Sequence, residues 1–376
     1  MRKLNVKFLV VFLLIVVVVG GGIAGLLILK SDPSAKYLAD AREAAQAAEY
    51  DKAMKNYRAY LGFHRDDQEV LLEAAEVGNH CIAEEVIQDS KQALPSLRLM
   101  ARALRNSPQR SDIRRNLAEG LIAMGFIARG SDGERTFFAE AQKEVQKLRR
   151  NDEDPELDFM YAQCADRLEK FSESISVLEK LVGYQPSKKE FNEESATAGN
   201  MIDAHVLLAN IYRQRGRGRE DEILADRVMD KMVERSANQA NAYFQRAIYS
   251  KRFTQAGSFA QRSERKEKIL SDLETALSID PDSLDVLIEL VDQQIRNDKL
   301  QIAEAHLAHA RELDPTDPRV YVQVARIERS RNIYGGLPLS QLQVRSTPPH
   351  ANVACGGNDR KRRLKRNFYL NQKTPG

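Results

Sequence analysis

The sequence has no tryptophan, only three cysteines and only 12 prolines in 376 residues. Cys81, Cys164 and Cys355 form no C-x-x-C pair, and an odd number of cysteines cannot form a closed disulfide framework. The absence of tryptophan, the few prolines and the 30% of charged residues favour amphipathic helices over strands. Because 57 basic and 54 acidic residues leave a net charge of only +3, the composition does not indicate a general attraction to nucleic acid.

Motifs of known catalytic sites are also missing from the sequence. There is no phosphate-binding loop, no H-E-x-x-H and no G-x-S-x-G. His306 and His309 are spaced to meet on one helical face, but a metal site there would need further ligands, and a solvated face is the simpler interpretation. We therefore expect no enzyme activity, no catalytic residues, no metal site and no cofactor.

A repeat is visible near the end of the chain, where D-L-E-T-A-L-S-I-D-P (Asp272 to Pro281) is followed by H-L-A-H-A-R-E-L-D-P (His306 to Pro315). The two prolines are 34 residues apart, and leucine, alanine and aspartate recur at the same offset. A period of 34 residues is the length of one helix-turn-helix unit. A single unit would leave its apolar stripe in water, and stacking on its neighbours buries that stripe. The sequence therefore predicts an all-α fold, an α-solenoid whose first helices line a concave surface.

The amino terminus predicts a membrane anchor. Residues 1–7 are basic, and residues 8–29 are an apolar segment without any charge. Roughly 20 apolar residues suffice for a helix to cross the hydrocarbon layer. The alternative is a cleaved signal peptide with its cleavage site at Gly22 to Ala24. We favour an uncleaved transmembrane helix, since the apolar run continues to Leu29.

The charges on either side of this segment predict its orientation. Basic residues are concentrated before it, whereas those behind it are diluted by acidic residues, which predicts a cytoplasmic amino terminus. The expected localisation is thus a single-pass membrane protein with an extracytoplasmic repeat domain. Gly21 and Gly25 form a G-x-x-x-G, which lets two helices approach closely and is a candidate homodimer contact.

Residues 34–332 resemble the tetratricopeptide repeat family, with about seven to eight degenerate units. The first unit contains Y-D-K-A-M-K-N-Y from Tyr50 to Tyr57. Other matching positions are Tyr161, Ala162, Phe171 and Pro186 in the fourth unit, Leu208, Ala209 and Tyr212 in the fifth, and Leu290, Val291, Ala303, Ala310 and Pro315 in the seventh. Insertions interrupt the pattern, with a turn at Gly130 to Gly133, a polar linker at Ser187 to Asn200 and a polar segment at Thr254 to Lys268.

The helical pattern is lost from Gly335 onwards, and residues 335–376 are predicted to be a disordered basic tail. The tail contains R-K-R-R-L-K-R from Arg360 to Arg366. Two interpretations remain open. The segment at 319–332 is either a capping helix followed by a free tail, or the eighth unit is interrupted after its first helix.

The resemblance implies a protein-binding scaffold whose partner lies in the concave groove along the first helices. Carried onto this sequence, the family's contact positions are Arg115, Glu119, Gln163, Asp166, Asn210, Arg213, Lys251, Asp292 and Arg296. The expected function is a membrane-anchored, noncatalytic scaffold for protein-protein interaction. The alternative is an anchoring or regulatory part of a longer enzyme or assembly whose catalytic part is missing from this chain.

Overall fold

The computed structural model describes residues 33–85, 90–150, 152–192, 201–215, 218–253 and 259–335. The chain divides into two compact units, residues 1–152 and residues 153–376. The described part of the first unit consists of three consecutive helix pairs, and within each pair the two helices pack along each other. These helices are α1 (Pro33–Gln46), α2 (Tyr50–Phe63), α3 (Gln68–Glu85), α4 (Ser90–Asn106), α5 (Ser111–Ile127) and α6 (Gly133–Leu148).

The second unit continues the same alternation with four helix pairs and one further helix in its described residues. Its helices are α7 (Pro155–Arg167), α8 (Phe171–Val182), α9 (Ile202–Arg215), α10 (Arg219–Arg235), α11 (Ala240–Arg252), α12 (Phe259–Ile279), α13 (Leu284–Arg296), α14 (Leu300–Leu313) and α15 (Pro318–Gly335). A ribbon of two short antiparallel strands, β1 (Tyr184–Gln185) and β2 (Glu190–Phe191), follows α8. The predicted all-α helical-repeat solenoid is confirmed for the described residues of each unit.

One turn conformation joins the first and second helices of three repeats. Ala48, Glu169 and Asp298 have φ angles of 57°, 62° and 57°, in the left-handed region. The amide after each of them donates to a carbonyl five residues earlier, at 2.8 to 2.9 Å. This is the hydrogen bond of a Schellman motif, and it satisfies a carbonyl that the helix end would leave unpaired. These turns belong to the first, fourth and seventh units, where the repeat pattern is most regular.

The turns between repeats follow the D-P period that the sequence shows. The amides of Asp280 and Asp314 donate to the carbonyls of Ala276 and Ala310, at 3.0 and 3.2 Å, as the second helices end. Pro281 and Pro315 come next, and proline cannot continue the helical hydrogen-bond pattern. The predicted 34-residue unit is therefore a structural unit.

Small and apolar residues form the core where helices of successive repeats meet. In the seventh unit, Leu287 and Val291 of α13 pack with Ala303, Leu307 and Ala310 of α14. The alanines have short side chains, so the helices approach closely while the leucines fill the space between them. Val320 and Ile327 of α15 join the same cluster from the next repeat. Each repeat is thus buried by its neighbour.

The structure differs from the prediction at two insertions. The sequence predicts a polar linker at Ser187 to Asn200, whereas the structure shows that this segment contains β2, where the Phe191 ring lies 5.1 Å from that of Tyr184. Gly183 has a φ of 69°, which ends α8 and turns the chain into this ribbon. In the segment at Thr254 to Lys268, α12 begins at Phe259, so most of this segment extends the second helix of the sixth unit.

The predicted membrane localisation needs a correction. Of the helices within residues 33–335, none is sufficiently long and apolar to cross a bilayer. These helices have charged residues along their exposed faces, which the hydrocarbon layer does not accommodate. On this finding, the prediction of a single-pass membrane protein with an extracytoplasmic repeat domain is wrong. The predicted span at 8–29, its Gly21 and Gly25 contact and the tail at 335–376 lie outside the described residues, apart from Gly335.

Candidate binding surface on the first helices

The residues predicted to contact a partner lie on the first helices of the repeats, and several consecutive first helices touch each other. Within the first compact unit, residues 1–152, α3 contacts α5. Within the second compact unit, residues 153–376, α7 contacts α9, α9 contacts α11 and α13 contacts α15. The predicted contact residues of each unit therefore lie on a common layer of helices. Their exposure and their partners differ widely.

Arg115 and Glu119 are the predicted contact residues of the third repeat, which belongs to the first compact unit. They lie one turn apart on α5, with Arg115 Nε 3.4 Å from Glu119 Oε1. Both side chains are accessible, and an exposed pair of this kind stabilises a helix by only about 0.3 to 0.5 kcal/mol. Their contact with a partner stays a prediction.

The predicted residues of the fourth unit are less accessible. Gln163 is buried on α7, and Asp166 is half-buried one turn later. The burial of Gln163 leaves little of its amide for a partner. Their contact with a partner stays a prediction.

Asn210 and Arg213 of the fifth unit are engaged by neighbouring residues. The Asn210 Oδ1 accepts a hydrogen bond from Arg252 Nη1 of α11 at 3.0 Å. The Arg213 side chain is only 4% exposed, and its Cζ lies 5.1 Å from the centre of the Phe253 ring. Its Nη1 lies 3.4 Å from a carboxylate oxygen of Glu222. Arg213 thus holds α9, α10 and the end of α11 together, and little of it faces solvent.

The three predicted residues of the sixth and seventh units come together around one buried carboxylate. Lys251 Nζ of α11 lies 3.0 Å from Asp292 Oδ2, and Arg296 Nε donates to the same oxygen at 3.0 Å. Arg326 of α15 donates to the other oxygen, Oδ1. Lys251 also donates to Glu289 Oε1 at 2.6 Å. We call Lys251, Glu289, Asp292, Arg296 and Arg326 the Asp292 cluster.

The cations of this cluster decide the charge state of Asp292. Burial by itself would raise the pKa of the Asp292 carboxyl, because the low-dielectric surroundings disfavour the charged form. The nearby charges and hydrogen bonds of Lys251 and Arg296 outweigh burial, and the pKa lies below its ordinary value. Asp292 is therefore ionised at neutral pH. Three cations face two carboxylates, which leaves an excess of one positive charge.

Arg326 is the member of the cluster that the sequence analysis missed. It lies 34 residues after Asp292, so the two residues occupy the same position of consecutive repeats. Arg319 and Asp285 form a second pair at the same spacing, with Arg319 Nη1 2.6 Å from Asp285 Oδ1. Extending the contact positions of the seventh unit by one period into α15 would have found Arg326.

A separate cleft of about 280 Å³ lies among α10, α11 and α12 of the second unit. Several of its charged side chains form ion pairs. Arg246 binds both oxygens of Asp272, at 3.0 and 2.6 Å, and its Nη1 lies 3.0 Å from Asp230. Lys268 Nζ also binds Asp230, at 2.7 Å. These pairs join the second helices α10 and α12 to α11. Arg246 is only 16% exposed, whereas Arg296 and Arg326 are 61% and 47% exposed, so the Asp292 cluster is the stronger candidate for a partner.

The described histidines do not form a metal site. His306 Nδ1 lies 3.0 Å from the amide oxygen of Gln294, and His309 Nε2 lies 3.1 Å from Asp282. In the part of the chain that the structure describes, no group of three or more histidine, cysteine or acidic residues is arranged to hold a metal ion.

No protein-family model matches the chain, and no curated protein matches it. Solved structures of tetratricopeptide repeat proteins do match. One is from Parabacteroides merdae, with 10% sequence identity, a TM-score of 0.47, and coverage of 78% of this chain and 98% of that chain. A thermophilic one from Thermus thermophilus has 18% identity, a TM-score of 0.38, and coverage of 56% and 99%. A third is the complex of the TPR2AB domain of yeast Sti1 with pHSP90, with 15% identity, a TM-score of 0.25, and coverage of 79% and 96%. At these identities the likeness concerns the helical-repeat fold alone.

Proposed function

We propose that this chain is a noncatalytic scaffold for protein-protein interaction, and that the Asp292 cluster holds an acidic side chain of a peptide partner. The observation that supports the proposal is the convergence of Lys251, Arg296 and Arg326 on one buried carboxylate. The three cations come from three successive first helices, α11, α13 and α15. A peptide that lies across these helices meets all of them.

The accessible donors of the cluster make it a binding site for anions. Arg296 and Arg326 are 61% and 47% exposed, although each gives hydrogen bonds to Asp292. A guanidinium group has five N–H donors, so each arginine keeps donors for a second acceptor. Planar guanidinium groups bind carboxylates in a two-pronged geometry, which suits a glutamate or aspartate of the partner. The excess positive charge of the cluster favours the same occupant.

The buried Asp292 positions these donors for the partner. It fixes one end of each guanidinium group, so less side-chain entropy is lost when a carboxylate binds to the other end. A buried ion pair that merely stabilised the fold would gain little from a third cation, because the desolvation cost of buried charges offsets their attraction. Positioning for a partner accounts better for the three cations.

The proposal is tested by selecting displayed random peptides on the full chain and measuring the best one by fluorescence anisotropy. We expect selected peptides to be rich in glutamate or aspartate. Arg296→Gln and Arg326→Gln should each weaken binding about tenfold, which corresponds to one charge-assisted hydrogen bond of about 1.5 kcal/mol.

Arg329→Gln is the matched control. Arg329 is exposed on α15, and its substitution removes the same charge at a position outside the cluster. It should change the dissociation constant by less than about twofold. Circular dichroism would show that all three variants remain helical. Selection of uncharged peptides, or equal weakening by Arg329→Gln, would refute a role of the cluster in binding.

A further inference from the structure

Arg252, the last residue of α11, is a half-buried cation whose hydrogen-bond partner is a neutral amide. Its Nη1 donates to Asn210 Oδ1 of α9 at 3.0 Å. Among the described residues, no acidic side chain forms an ion pair with Arg252. Removal of a cation from water is costly unless an opposite charge lies beside it, so partly buried arginines normally have a carboxylate partner. Arg252 is an exception on the layer of first helices.

Arg246 of the same helix shows what a neighbouring carboxylate does. Burial by itself would lower the pKa of the Arg246 guanidinium, but the hydrogen bonds to Asp272 at 3.0 and 2.6 Å raise this pKa above its ordinary value. Burial lowers the pKa of Arg252, and no acidic residue in the described part of the chain offsets that effect. Arg252 still carries its charge at neutral pH, because arginine is not deprotonated in proteins. Its surroundings therefore lack the negative charge that Arg246 has.

The groups at this position are hydrogen-bond donors. A guanidinium group has five N–H donors, and within the described residues Arg252 uses one of them, on Asn210. Asn210 accepts that bond with its side-chain oxygen, which leaves its amide nitrogen, a donor only, without a partner among the described residues. Both side chains are half-buried, so part of each reaches solvent. A carboxylate only accepts hydrogen bonds and carries the missing charge, so it matches both donors.

Arg252 lies next to the Asp292 cluster along the layer of first helices. Lys251 contacts α13, where it binds Asp292, whereas Arg252 contacts α9, so two consecutive residues of α11 reach opposite neighbours. Axes of packed helices are about 8 to 10 Å apart. An extended peptide advances about 3.3 Å per residue. A peptide that crosses the first helices therefore passes from Arg252 to the cluster in about three residues.

We propose that Arg252 and Asn210 bind a second acidic side chain of the peptide partner, about three residues from the acidic side chain that the Asp292 cluster holds. This second site rests on the function proposed for the cluster. It narrows the partner to a peptide with two acidic residues at a defined spacing, and it extends the contact from α11, α13 and α15 to α9.

Peptides of defined sequence test the spacing directly. The probes consist of serine and alanine, with an amino-terminal fluorescein and a carboxy-terminal amide, and contain either one glutamate or two glutamates at varied separation. Each probe is titrated with the full chain up to about 1 mM and followed by fluorescence anisotropy. We expect the tightest binding when the second glutamate is about three residues after the first. That peptide should bind about tenfold more tightly than the one-glutamate peptide.

Variants of the full chain locate the second glutamate. Arg252→Gln removes the charge but keeps an amide that can donate to Asn210. It should weaken binding of the two-glutamate peptide about tenfold and change binding of the one-glutamate peptide by less than about twofold. Arg252→Lys keeps the charge and should bind the two-glutamate peptide more tightly than Arg252→Gln does. Arg219→Gln is the matched control, because Arg219 is exposed on the second helix α10, and it should leave both affinities within about twofold.

Two results would overturn the second site. The first is that two-glutamate peptides do not bind, or bind no more tightly than the one-glutamate peptide at every separation. The second is equal weakening of both kinds of peptide by Arg252→Gln, which would mean that Arg252 only holds α9 and α11 together. The Asp292 cluster is tested separately, by Arg296→Gln with the one-glutamate peptide and with the selected peptides. Weakening by Arg296→Gln without any gain from a second glutamate would overturn the second site and support the cluster.

Discussion

Asp292→Asn is the substitution that tests the structural account of the cluster most directly. It keeps the shape of the side chain but removes the charge that holds Lys251, Arg296 and Arg326. Hydrogen bonds to charged groups contribute about 1.5 to 3 kcal/mol each, but these cations are partly exposed and recover part of that from water. We therefore expect a loss of about 2 kcal/mol in the local stability of α13 and α15.

Hydrogen exchange followed by mass spectrometry measures this loss helix by helix, which suits a repeat protein whose units need not unfold together. A loss of about 2 kcal/mol corresponds to faster exchange by on the order of 30-fold in α13 and α15, with little change in α1 to α6. Asp298→Asn is the control, because Asp298 is an exposed aspartate in the turn after α13, and asparagine also accepts its left-handed φ.

The stabilisation by Asp292 should also depend on pH in a defined direction. Its folded pKa lies below the ordinary value of about 3.9, so its ionised form stabilises the fold above that pH. The stabilisation is lost as the pH falls through the lowered pKa. Urea unfolding should therefore show a large difference between the wild type and Asp292→Asn at neutral pH, and a smaller one below about pH 3. A difference that is constant over this range would refute the assigned role of the carboxylate.

A pair of glycine substitutions and the reactivity of Cys164 test the packing of the helices. Gly125→Ala would place a methyl group 2.7 Å from the fully buried Phe138 ring and should cost about 1 to 3 kcal/mol in urea unfolding. Gly62→Ala, which meets no atom within 4 Å, should be neutral or stabilising by up to about 1 kcal/mol, and a similar loss in both would contradict this packing. Burial raises the pKa of the Cys164 thiol to about 12, so mass spectrometry should find Cys164 unmodified by iodoacetamide until the chain is unfolded.

The local features of the repeat could be predicted from the sequence, because they depend on residues close together in the chain. The D-P endings at Pro281 and Pro315 predicted the end of α12 and α14, and the spacing of leucine and alanine predicted which faces are buried. The ribbon after α8 was missed, because Tyr184 and Phe191 are separated by polar residues and lie outside the helical period. Their contact is a property of the folded loop.

The candidate site was predicted only in part, because its contacts join different repeats. Lys251, Asp292 and Arg296 were placed on first helices, and their convergence on one carboxylate required the stacking of α11, α13 and α15. Arg213 is a predicted contact residue that the stacking of repeats makes inaccessible. Its repeat position predicts an accessible side chain, but the Phe253 ring from the next repeat lies over it. Phe253 immediately precedes the insertion of the sixth unit, where the period gives no guidance.

The comparison of α13 with α15 shows what a repeat pattern does and does not determine. Leu287 and Tyr321 occupy the same position, and the pattern predicts burial for both. Leu287 is fully buried and Tyr321 is largely exposed, although Asp285–Arg319 and Asp292–Arg326 hold the two helices in the same register. The difference is that α14 lies on one face, while no helix within residues 33–335 lies on the other. A position in a solenoid is buried by its neighbour. The repeat pattern therefore predicts which positions are apolar, and the presence of a following helix decides whether those positions are buried.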